Sequence, residues 1–429
     1  MISNHGTGHN ESMIDVEEAL SKILAVFTPL SIKEIDILET NGMVLAQDVI
    51  SQINIPPLDN SAMDGYAIKH EDVNNATSTN PKRLRVVATT AAGDLPYSTL
   101  LNNESVRIMT GAPVPKGATA VVPFEDTSDN FKNKISTNEE VQIYTDSIIG
   151  QNVRKAGQDV TSGETVLKSG TKLHPSHIAL IASLGKATVK VFRRPEVAIL
   201  ATGNEITKPG NSLDKGQIYD SNSYGIAAAV KESGGNPLIL GIAKDDFKSI
   251  EAKLNMCKEA DFVITSAGVS KGDFDIVKDV LSKNGTIEFH SVRMKPGKPL
   301  AFGLLQHNDK QIPLVGLPGN PVSALVAFEQ FCRPAIRLML GNELKPRATI
   351  KAILDDDIRN PDGRRIYARA FVYKKDDVYH ASLSGVQSSN ILSAMAKANG
   401  LAICPENKPL VKSGEEVAVM MLYWPSEVF

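Results

Sequence analysis

The sequence predicts a multidomain α/β plus β chain, in which a central doubly wound domain with a parallel sheet lies between mainly β domains. Three observations predict this fold class. The 429 residues are more than one hydrophobic core usually organises. From Glu196 to about Ala335, apolar strand-like runs alternate with amphipathic helical segments, as in a parallel sheet covered on both faces. Before and after that region, short β-branched runs are broken by Gly, Pro, Asn and Asp.

The order of these patterns divides the chain into four domains. Apolar residues recur at helical spacing from Val16 to Phe27, so an amphipathic helix lies near the start of the first domain. The predicted domains are residues 13–50 together with 151–192, a mainly β inserted domain at 51–150, the doubly wound domain at 193–340 and a small β domain at 341–429.

The doubly wound domain has four predicted strands and four predicted helices. The strands are Val197–Ala201, Leu238–Ile242, Phe262–Thr265 and Pro313–Leu317. The helices are Ser221–Ser233, Phe247–Ala260, Asp275–Lys283 and Pro321–Leu340.

Composition and charge exclude several classes of partner. A net charge of −3 gives no general attraction to nucleic acid or to an anionic membrane, so anion binding has to come from local clusters. The three cysteines are far apart, without the spacing of a zinc site or a secreted disulfide framework. The first twenty residues lack a basic segment followed by an apolar one. We therefore expect a cytoplasmic protein.

Polar or glycine-rich segments follow all four predicted strands of the doubly wound domain. These segments are Thr202–Glu205, Lys244–Asp246, Ser266–Asp275 and Pro318–Pro321. Ligands of an open α/β sheet bind in the crevice outside the carboxyl ends of its strands. We therefore expect the four loops to converge on one site.

Residues of both charges are concentrated there. Mg²⁺ prefers carboxylate oxygens and is usually held by one or two of them together with phosphate oxygens. Opposite charge comes from Lys295 and Lys298 in the segment MKPGKP. The acidic residues of the loops are Glu205, Asp245, Asp246, Asp273 and Asp275.

The fourth loop adds a place for an anion. Its residues lead into a predicted helix, whose first free N–H groups and positive dipole end attract phosphate, and Pro321 suits the first helical position. The loop residues are Pro318, Gly319, Asn320 and Pro321. By themselves, these patterns predict a phosphate and divalent-metal site without naming a reaction.

Each feature also has a purely structural interpretation. Asp220 and Asp275 each stand just before an amphipathic helix and suit an N-cap. Asp245 and Asp246 suit a solvated loop, and the two lysines suit an exposed face. A binding site is favoured because four successive strand ends carry acids, glycines or a helix start, whereas the strand starts do not.

Longer segments carry a resemblance to a known family. They are DNSAMDGYA (59–67), RIMTGAPVPKGATAVVPFED (107–126), VRKAGQDV (153–160), ATGNE (201–205), IYDSN (218–222), SAGVSKGDFD (266–275), MKPGKP (294–299) and LPGNPVS (317–323). In wording, order and spacing they resemble the MoeA/gephyrin family of molybdopterin molybdenumtransferases. The resemblance extends from about Met13 to Phe429.

The resemblance implies an elongated homodimer of four-domain subunits. Its first domain would serve linking and dimerisation, its central domain would be molybdopterin-binding and adenylyltransferase-like, and its last would be β-barrel-like. The implied reaction takes adenylylated molybdopterin and molybdate, releases AMP with the support of Mg²⁺, and leaves molybdenum on the dithiolene sulfurs. The adenylyltransferase and the molybdoenzymes that accept the cofactor are further expected partners.

Carried over by position, the resemblance also implies site residues. Glu205, Asp245 or Asp246, and Asp275 would bind the metal or activate water. Arg369 in GRRIYARA and Ser388, or its neighbour Ser389, would complete the molybdate pocket. The positions around the nucleotide phosphate and the oxyanion are Ser270, Asp275, Lys295, Lys298 and Pro299. Those expected from the partner subunit's motifs are Asp59, Asp64 and Thr110.

Two departures and two other functions stay open. Ala267 stands where the family usually has glycine, and Tyr367 stands where phenylalanine is common. A family member that only organises other proteins is one alternative, and a nucleotide enzyme of the adenylyltransferase type is the other. The sequence does not distinguish molybdate from tungstate, because both are tetrahedral oxyanions of similar size and charge.

Overall fold

The computed structural model describes residues 13–129, 140–266, 283, 285–307 and 310–424. Their contacts divide the chain into two compact units. The first unit comprises the chain up to Ala46, residues 170–174 and the chain from Thr188 onward. The second comprises residues 47–169 and 175–187.

A mixed sheet forms the centre of the first unit. In spatial order, its described strands are Asn236–Ala243, Glu196–Thr202, Phe262–Ser266, Lys310–Leu317, Pro299–His307 and Gly285–Ser291. The first four run parallel, and the last two are antiparallel to their neighbours. The four parallel strands therefore end at the same edge.

Side-chain alternation along the strand Glu196–Thr202 shows why helices are needed on both faces. Val197 and Ile199 belong to one hydrophobic core, whereas Ala198 and Leu200 belong to another. All four side chains are fully buried. A parallel strand that is buried on both faces reads as a continuous apolar run, which is how this one stands in the sequence.

Helices cover both faces of this sheet. The described helices of the first unit that precede its C-terminal part are Val16–Leu24, Asn222–Ser233, Phe247–Leu254, Pro321–Ala327 and Arg333–Met339, with a π-helical turn at Phe328–Cys332 and 3₁₀ turns at Ile37–Thr40 and Asn255–Cys257. The first of them packs on the sheet, and the Phe27 ring that follows it meets the Phe262 ring edge-on at 5.0 Å. Gly234, with φ of 101°, ends the helix Asn222–Ser233 in the left-handed conformation that favours glycine.

The C-terminal part of the first unit forms a closed barrel. The strand Arg365–Lys375 pairs with Val378–Leu383 on one side and with Gly400–Cys404 on the other, so the sheet returns to itself. Its other strands are Thr349–Leu354, Glu416–Met421 and the two-residue strand Met294–Lys295. The helix Leu392–Lys397 follows the loop after Val378–Leu383.

Three short strand pairs complete the described elements of the first unit, and a fourth pair lies in the second unit. In the first unit they are Ile32–Asp36 with Thr188–Phe192, Ile206–Thr207 with Ile218–Tyr219, and Ile358–Arg359 with Leu410–Val411. In the second unit Val49–Ile50 pairs with Thr165–Leu167.

The second unit is built on a five-stranded described sheet. In spatial order the strands are Ala120–Pro123, Gly65–Ile68, Glu104–Ile108, Lys82–Thr90 and Glu140–Ile143. Smaller elements are the strand pair Asn60–Ser61 with Val153–Arg154, the 3₁₀ turns His70–Val73 and Phe124–Asp126, and the helix Pro175–Ser183. Tyr66, Leu84 and Ile143 lie in one core of this sheet.

The predicted fold class is confirmed, with one correction to the sheet. All four predicted strands are present and parallel, but Pro299–His307 and Gly285–Ser291 add antiparallel strands that the sequence did not predict. The predicted helix Phe247–Ala260 ends at Leu254, and Pro321–Leu340 is interrupted by the π-helical turn. The predicted helix Asp275–Lys283 lies almost wholly outside the described residues. The four domain boundaries stay a prediction.

A partly buried ion pair holds the start of the central sheet. Both guanidinium NH groups of Arg193 donate to Asp261, at 2.5 and 2.6 Å, and the Glu196 N–H donates to the same carboxylate at 2.9 Å. Burial opposes ionisation of Asp261, but these hydrogen bonds outweigh burial and hold its pKa below the usual range.

We predict that Asp261→Asn lowers the free energy of unfolding of the first unit by about 2 kcal/mol, the size of a lost charge-assisted hydrogen bond. Because the folded pKa is depressed, this stabilisation is complete above the unfolded pKa of about 3.9 and is lost as pH falls through the folded pKa. Urea unfolding of both proteins between pH 7 and pH 3 measures it. If the free energies of unfolding of the two proteins differ as much at pH 3 as at pH 7, the stabilising role of the ionised Asp261 is contradicted.

Candidate functional site

A cavity of about 940 Å³ opens at the carboxyl ends of the parallel strands in the first unit. Two of the four predicted strand-end loops, the first and the fourth, line it. The lining residues include those of Glu205–Ile206, Ile218–Asn222, Lys295–Pro299, Pro318–Pro321 and Gln387–Asn390, together with Ser323 and Arg364. Strand ends, the lysine segment and the C-terminal barrel thus meet at one place.

The first strand-end loop brings an exposed acid to the cavity. Gly203 has φ of 145°, and a Cβ atom there would lie 2.6 Å from the Glu205 Oε2 atom. Glycine therefore lets the Glu205 carboxylate fold back over the loop backbone. Glu205 lines the cavity and is exposed, so its oxygens are available to a ligand.

The second strand-end loop holds its two acids differently. The Asn204 N–H donates to Asp245 Oδ2 at 3.1 Å, which ties this loop to the first one. Asp246 is the N-cap of the helix Phe247–Leu254, and its Oδ1 accepts the Ser249 N–H at 2.8 Å. Neither acid is among the residues lining the cavity. Asp246 therefore has a structural role that the sequence interpretation did not give it.

Asn222 connects two of the strand-end loops. Its side-chain amide donates to Ser266 Oγ and to the Gly319 carbonyl oxygen, both at 2.7 Å. Ser266 ends a parallel strand, and Gly319 belongs to the loop after the next one. Just before it, the buried Asp220 accepts the Ser223 N–H at 3.0 Å, as its interpretation as a helix cap predicts.

The two lysines face the cavity through a tight turn between them. Gly297 has φ of 108°, and a Cβ atom there would lie 2.9 Å from the Met294 Cε atom. Glycine at this position lets the chain turn so that Lys295 and Lys298 both line the cavity. Lys298 is exposed and Lys295 is partly so. The pair supplies positive charge, as the sequence predicts.

A short strand pair places a further cation beside these lysines. Met294–Lys295 pairs in parallel with Arg365–Ile366, and the Arg365 N–H donates to the Arg293 carbonyl oxygen at 3.0 Å. The preceding residue, Arg364, lines the cavity. The resemblance implies a role for Arg369 in the same segment, GRRIYARA, but none for this arginine.

The arginine that the sequence interpretation did single out lies elsewhere. Arg369 is 1% exposed, and its guanidinium donates to the Val386 and Ser388 carbonyl oxygens at 3.2 and 3.0 Å. Its Nε atom has no hydrogen-bond acceptor among the described residues. Burial lowers the pKa of Arg369 below its usual value. Arg369 therefore lies behind the loop 385–390, and its contact with a ligand stays a prediction.

That loop presents both candidate serines to the cavity. Ser388 and Ser389 each line it, and Ser388 Oγ donates to Asn390 Oδ1 at 2.6 Å. The Ser389 carbonyl oxygen accepts the Val322 N–H at 3.3 Å. The helix start at Pro321 thus has one N–H fewer for an anion than the sequence pattern suggested.

Three predicted positions lie in the second unit. Asp64 Oδ1 accepts the Thr110 N–H at 2.6 Å and the Thr110 hydroxyl at 2.8 Å. Asp59 accepts Lys155 Nζ and the Ala156 N–H, both at 2.8 Å. Burial raises the pKa of the Asp59 carboxyl, but the hydrogen bonds from Lys155 and Ala156 outweigh burial, so the pKa lies below its usual value. Such bonds from an aspartate to nearby backbone N–H groups are also typical of turns, and a role of these three residues in binding stays a prediction.

The remaining predictions fall on residues that the structure does not describe. Ala267, Ser270, Asp273 and Asp275 lie outside the described residues. In the part of the chain that is described, no three His, Cys, Asp or Glu side chains are grouped to hold a metal ion. No described helix is long and apolar enough to span a membrane.

Comparison with known proteins gives the same family along the chain. Residues 14–185 match the sequence model of the MoeA N-terminal region (domain I and II), and residues 351–422 match that of the MoeA C-terminal region (domain IV). Between them, residues 198–338 match the model described as a probable molybdopterin binding domain.

Relatives and solved structures cover nearly the whole chain. Molybdopterin molybdenumtransferase 2 of Mycobacterium tuberculosis is 36% identical over 416 residues, which are 95% of this chain and 98% of the relative. The Haemophilus influenzae molybdopterin molybdenumtransferase is 35% identical over 411 residues, with the same shares. The crystal structure of a molybdopterin biosynthesis MoeA protein from Pyrococcus horikoshii has a TM-score of 0.82 at 32% identity and covers 96% of this chain and 100% of that one. The chain belongs to the MoeA family.

Proposed function

We propose that this protein is a molybdopterin molybdenumtransferase, which inserts molybdenum from molybdate into adenylylated molybdopterin and releases AMP. The observation that carries the proposal is the cavity at the strand ends, which is lined by cations together with the carboxylates of Glu205 and Asp220. Its volume, about 940 Å³, lies near the upper end of the range of about 300–1,000 Å³ for small-molecule sites. A pterin nucleotide is a ligand of that class. Relatives along the whole chain carry the name of this activity.

The lysines would bind the negative charges of the substrates. Lys295 and Lys298 line the cavity on one turn, so both can face a phosphate or a molybdate oxygen. Lysine binds such groups as a point charge. The Ser388 or Ser389 hydroxyl, on the opposite loop, would add a hydrogen bond to the same oxyanion. Binding both substrates in one cavity would couple AMP release to insertion, because reactants held in the right geometry react in an effectively unimolecular step.

Magnesium would be held by carboxylates of the first two strand-end loops. Glu205 is exposed toward the cavity, and Asp245 is tied to the neighbouring Asn204. One or two carboxylates together with phosphate oxygens are a usual donor set for Mg²⁺, and Glu205 is the one of this pair that lines the cavity. When bound, Mg²⁺ would offset charge on the phosphates. Asp275 is proposed as a further ligand on the family resemblance alone.

Activation of water is the alternative role for Glu205 among the acids of the first two strand-end loops. A general base has to reach the proton that it takes, and Glu205 alone among the described acids of the first two loops lines the cavity. Asp246, in contrast, uses one carboxylate oxygen to cap a helix. We therefore propose that Glu205 is the general base that activates water, and that Asp245 is a supporting carboxylate from the next loop.

The wider setting of the reaction is also proposed. We infer a homodimer, in which the second unit of one copy supplies Asp59, Asp64 and Thr110 to the site of the other. The three cysteines are free and buried, which is usual in a reducing compartment and supports a cytoplasmic location. An adenylyltransferase would then supply the substrate, and molybdoenzymes would accept the product.

We predict that the purified protein releases AMP from adenylylated molybdopterin only when molybdate and Mg²⁺ are both present. AMP is measured by chromatography, and molybdenum on the pterin is measured by its metal content. A parallel reaction with tungstate tests discrimination between the two oxyanions. Adenylylation of molybdopterin from ATP, without molybdate-dependent AMP release, would instead assign the adenylyltransferase reaction.

We predict that Glu205→Gln slows molybdate-dependent AMP release by about 100-fold or more, the scale of a lost general base. Glutamine keeps the length of the side chain and removes its charge. Asp246→Asn, which retains an oxygen for the helix cap, is expected to lower the rate of AMP release much less. Glu259→Gln removes an exposed charge outside the cavity and serves as the matched control. A larger loss for Asp246→Asn than for Glu205→Gln would move the catalytic charge to Asp246.

A further inference from the structure

The cavity has a cation that neither the sequence interpretation nor the family resemblance assigned to ligand binding. Arg364 lines the cavity beside Lys295, and its side chain is 20% exposed. Among the described residues it makes one ion pair, with Asp362, and it uses one terminal nitrogen for it. A guanidinium group has five N–H donors, so most of its donors remain for another partner.

Asp362 is shared between two of the cavity's cations. Its Oδ2 atom is hydrogen-bonded to Arg364 and lies 3.9 Å from Lys295 Nζ. Asp362 itself does not line the cavity. The hydrogen bond from Arg364, aided by the charges of Arg364 and Lys295, holds the pKa of Asp362 below its usual range. The carboxylate is therefore charged at neutral pH and partly neutralises both cations.

The next residue along the chain shows that this arrangement is specific to Arg364. The Arg365 guanidinium is hydrogen-bonded to Glu17 and lies 2.9 Å from Glu406, and neither glutamate lines the cavity. Both of its charged partners are glutamates that it holds outside the cavity. Arg365 is thus neutralised by two carboxylates, whereas Arg364 shares one carboxylate with Lys295.

We propose that Arg364 is a third cation of the anion site, with Lys295 and Lys298, and that Asp362 is the internal counter-ion with which a bound tetrahedral oxyanion competes. The inference rests on the proposed function, because it takes the cavity as the place where molybdate or a phosphate group binds. Arginine suits such a group, since its planar donors can face two oxygens at once. Asp362 then weakens binding of the anion, because it competes for the same guanidinium group.

The two side chains should act on anion affinity with opposite signs. Arg364→Met removes a charge-assisted hydrogen bond and should weaken binding about tenfold or more. Asp362→Asn removes the competing carboxylate and should tighten binding, by a smaller factor because the site is open to solvent. A structural role for the pair would not produce opposite changes, because either variant would disturb the same contact.

The experiment measures binding of molybdate alone and of AMP alone by calorimetry, to the full-length protein and its variants. Using the two anions separately shows whether Arg364 acts on the oxyanion, on the nucleotide phosphate or on both. Arg359→Met removes one exposed positive charge from the short strand pair Ile358–Arg359 with Leu410–Val411, outside the cavity, and is the matched control. Thermal unfolding of each variant shows that it is folded.

The expected result is weaker binding of at least one anion by Arg364→Met, tighter binding of that anion by Asp362→Asn, and no change in Arg359→Met. Unchanged affinity of Arg364→Met, the same sign of change in both variants, or no binding of either anion by the unaltered protein would overturn the proposal. Failure of the proposed function is a separate result. The anion affinities would then change as expected, while no molybdate-dependent AMP release is seen.

Discussion

The parallel register of the central strands is the constraint on which the rest of the first unit depends. Glu196–Thr202 pairs in parallel with strands on both sides, and its side chains are buried on both faces. A slip of one residue would exchange the two faces, so the register is strongly specified. Because the register is fixed, the strands end together, and their loops are free to carry polar groups at one edge.

A second, much smaller pairing brings the C-terminal barrel to the same edge. Only two residues of the lysine segment, Met294 and Lys295, pair with the barrel strand that starts at Arg365. The buried Met294 and Tyr367 belong to the hydrophobic core that also contains the central sheet. Packing of the barrel onto this core therefore holds the short pairing in place. As a result, segments about seventy residues apart in the chain line one cavity.

The sequence predicted those elements whose burial leaves a clear pattern. Strands that are buried on both faces, such as Glu196–Thr202 and Phe262–Ser266, appear as short apolar runs and were predicted. The partly exposed edge strand Asn236–Ala243 was also predicted, because it too is an apolar run. Pro299–His307 was not, because that segment contains three Leu with one Ala, one Gly and one Gln but no β-branched residue, and so does not favour a strand by itself. Its pairing with Lys310–Leu317 determines its conformation. The π-helical turn at Phe328–Cys332 was also missed, because it hardly alters the apolar spacing of the helix that it interrupts.

For the site, the sequence predicted which kinds of residue would meet but not how each one is used. Composition does not distinguish Glu205, which faces the cavity, from Asp246, which caps a helix, because both follow a strand in an acidic loop. The difference arises from Gly203 in one loop and from the helix start in the other. Likewise, the sequence does not show that Arg369 is covered by the loop 385–390 while Arg364 is not.

These assignments share a physical cause, which is the cost of leaving a charge without compensation. Burying a charge is costly unless it is paired or hydrogen-bonded, so Arg369 is surrounded by carbonyl oxygens and Arg193 is paired with Asp261. The cavity is open to solvent, so its cations do not need full compensation within the protein. Lys298 is exposed, and Lys295 and Arg364 share one carboxylate. Cations whose positive charge is only partly neutralised within the protein are suited to bind an anion, because the anion supplies the missing negative charge.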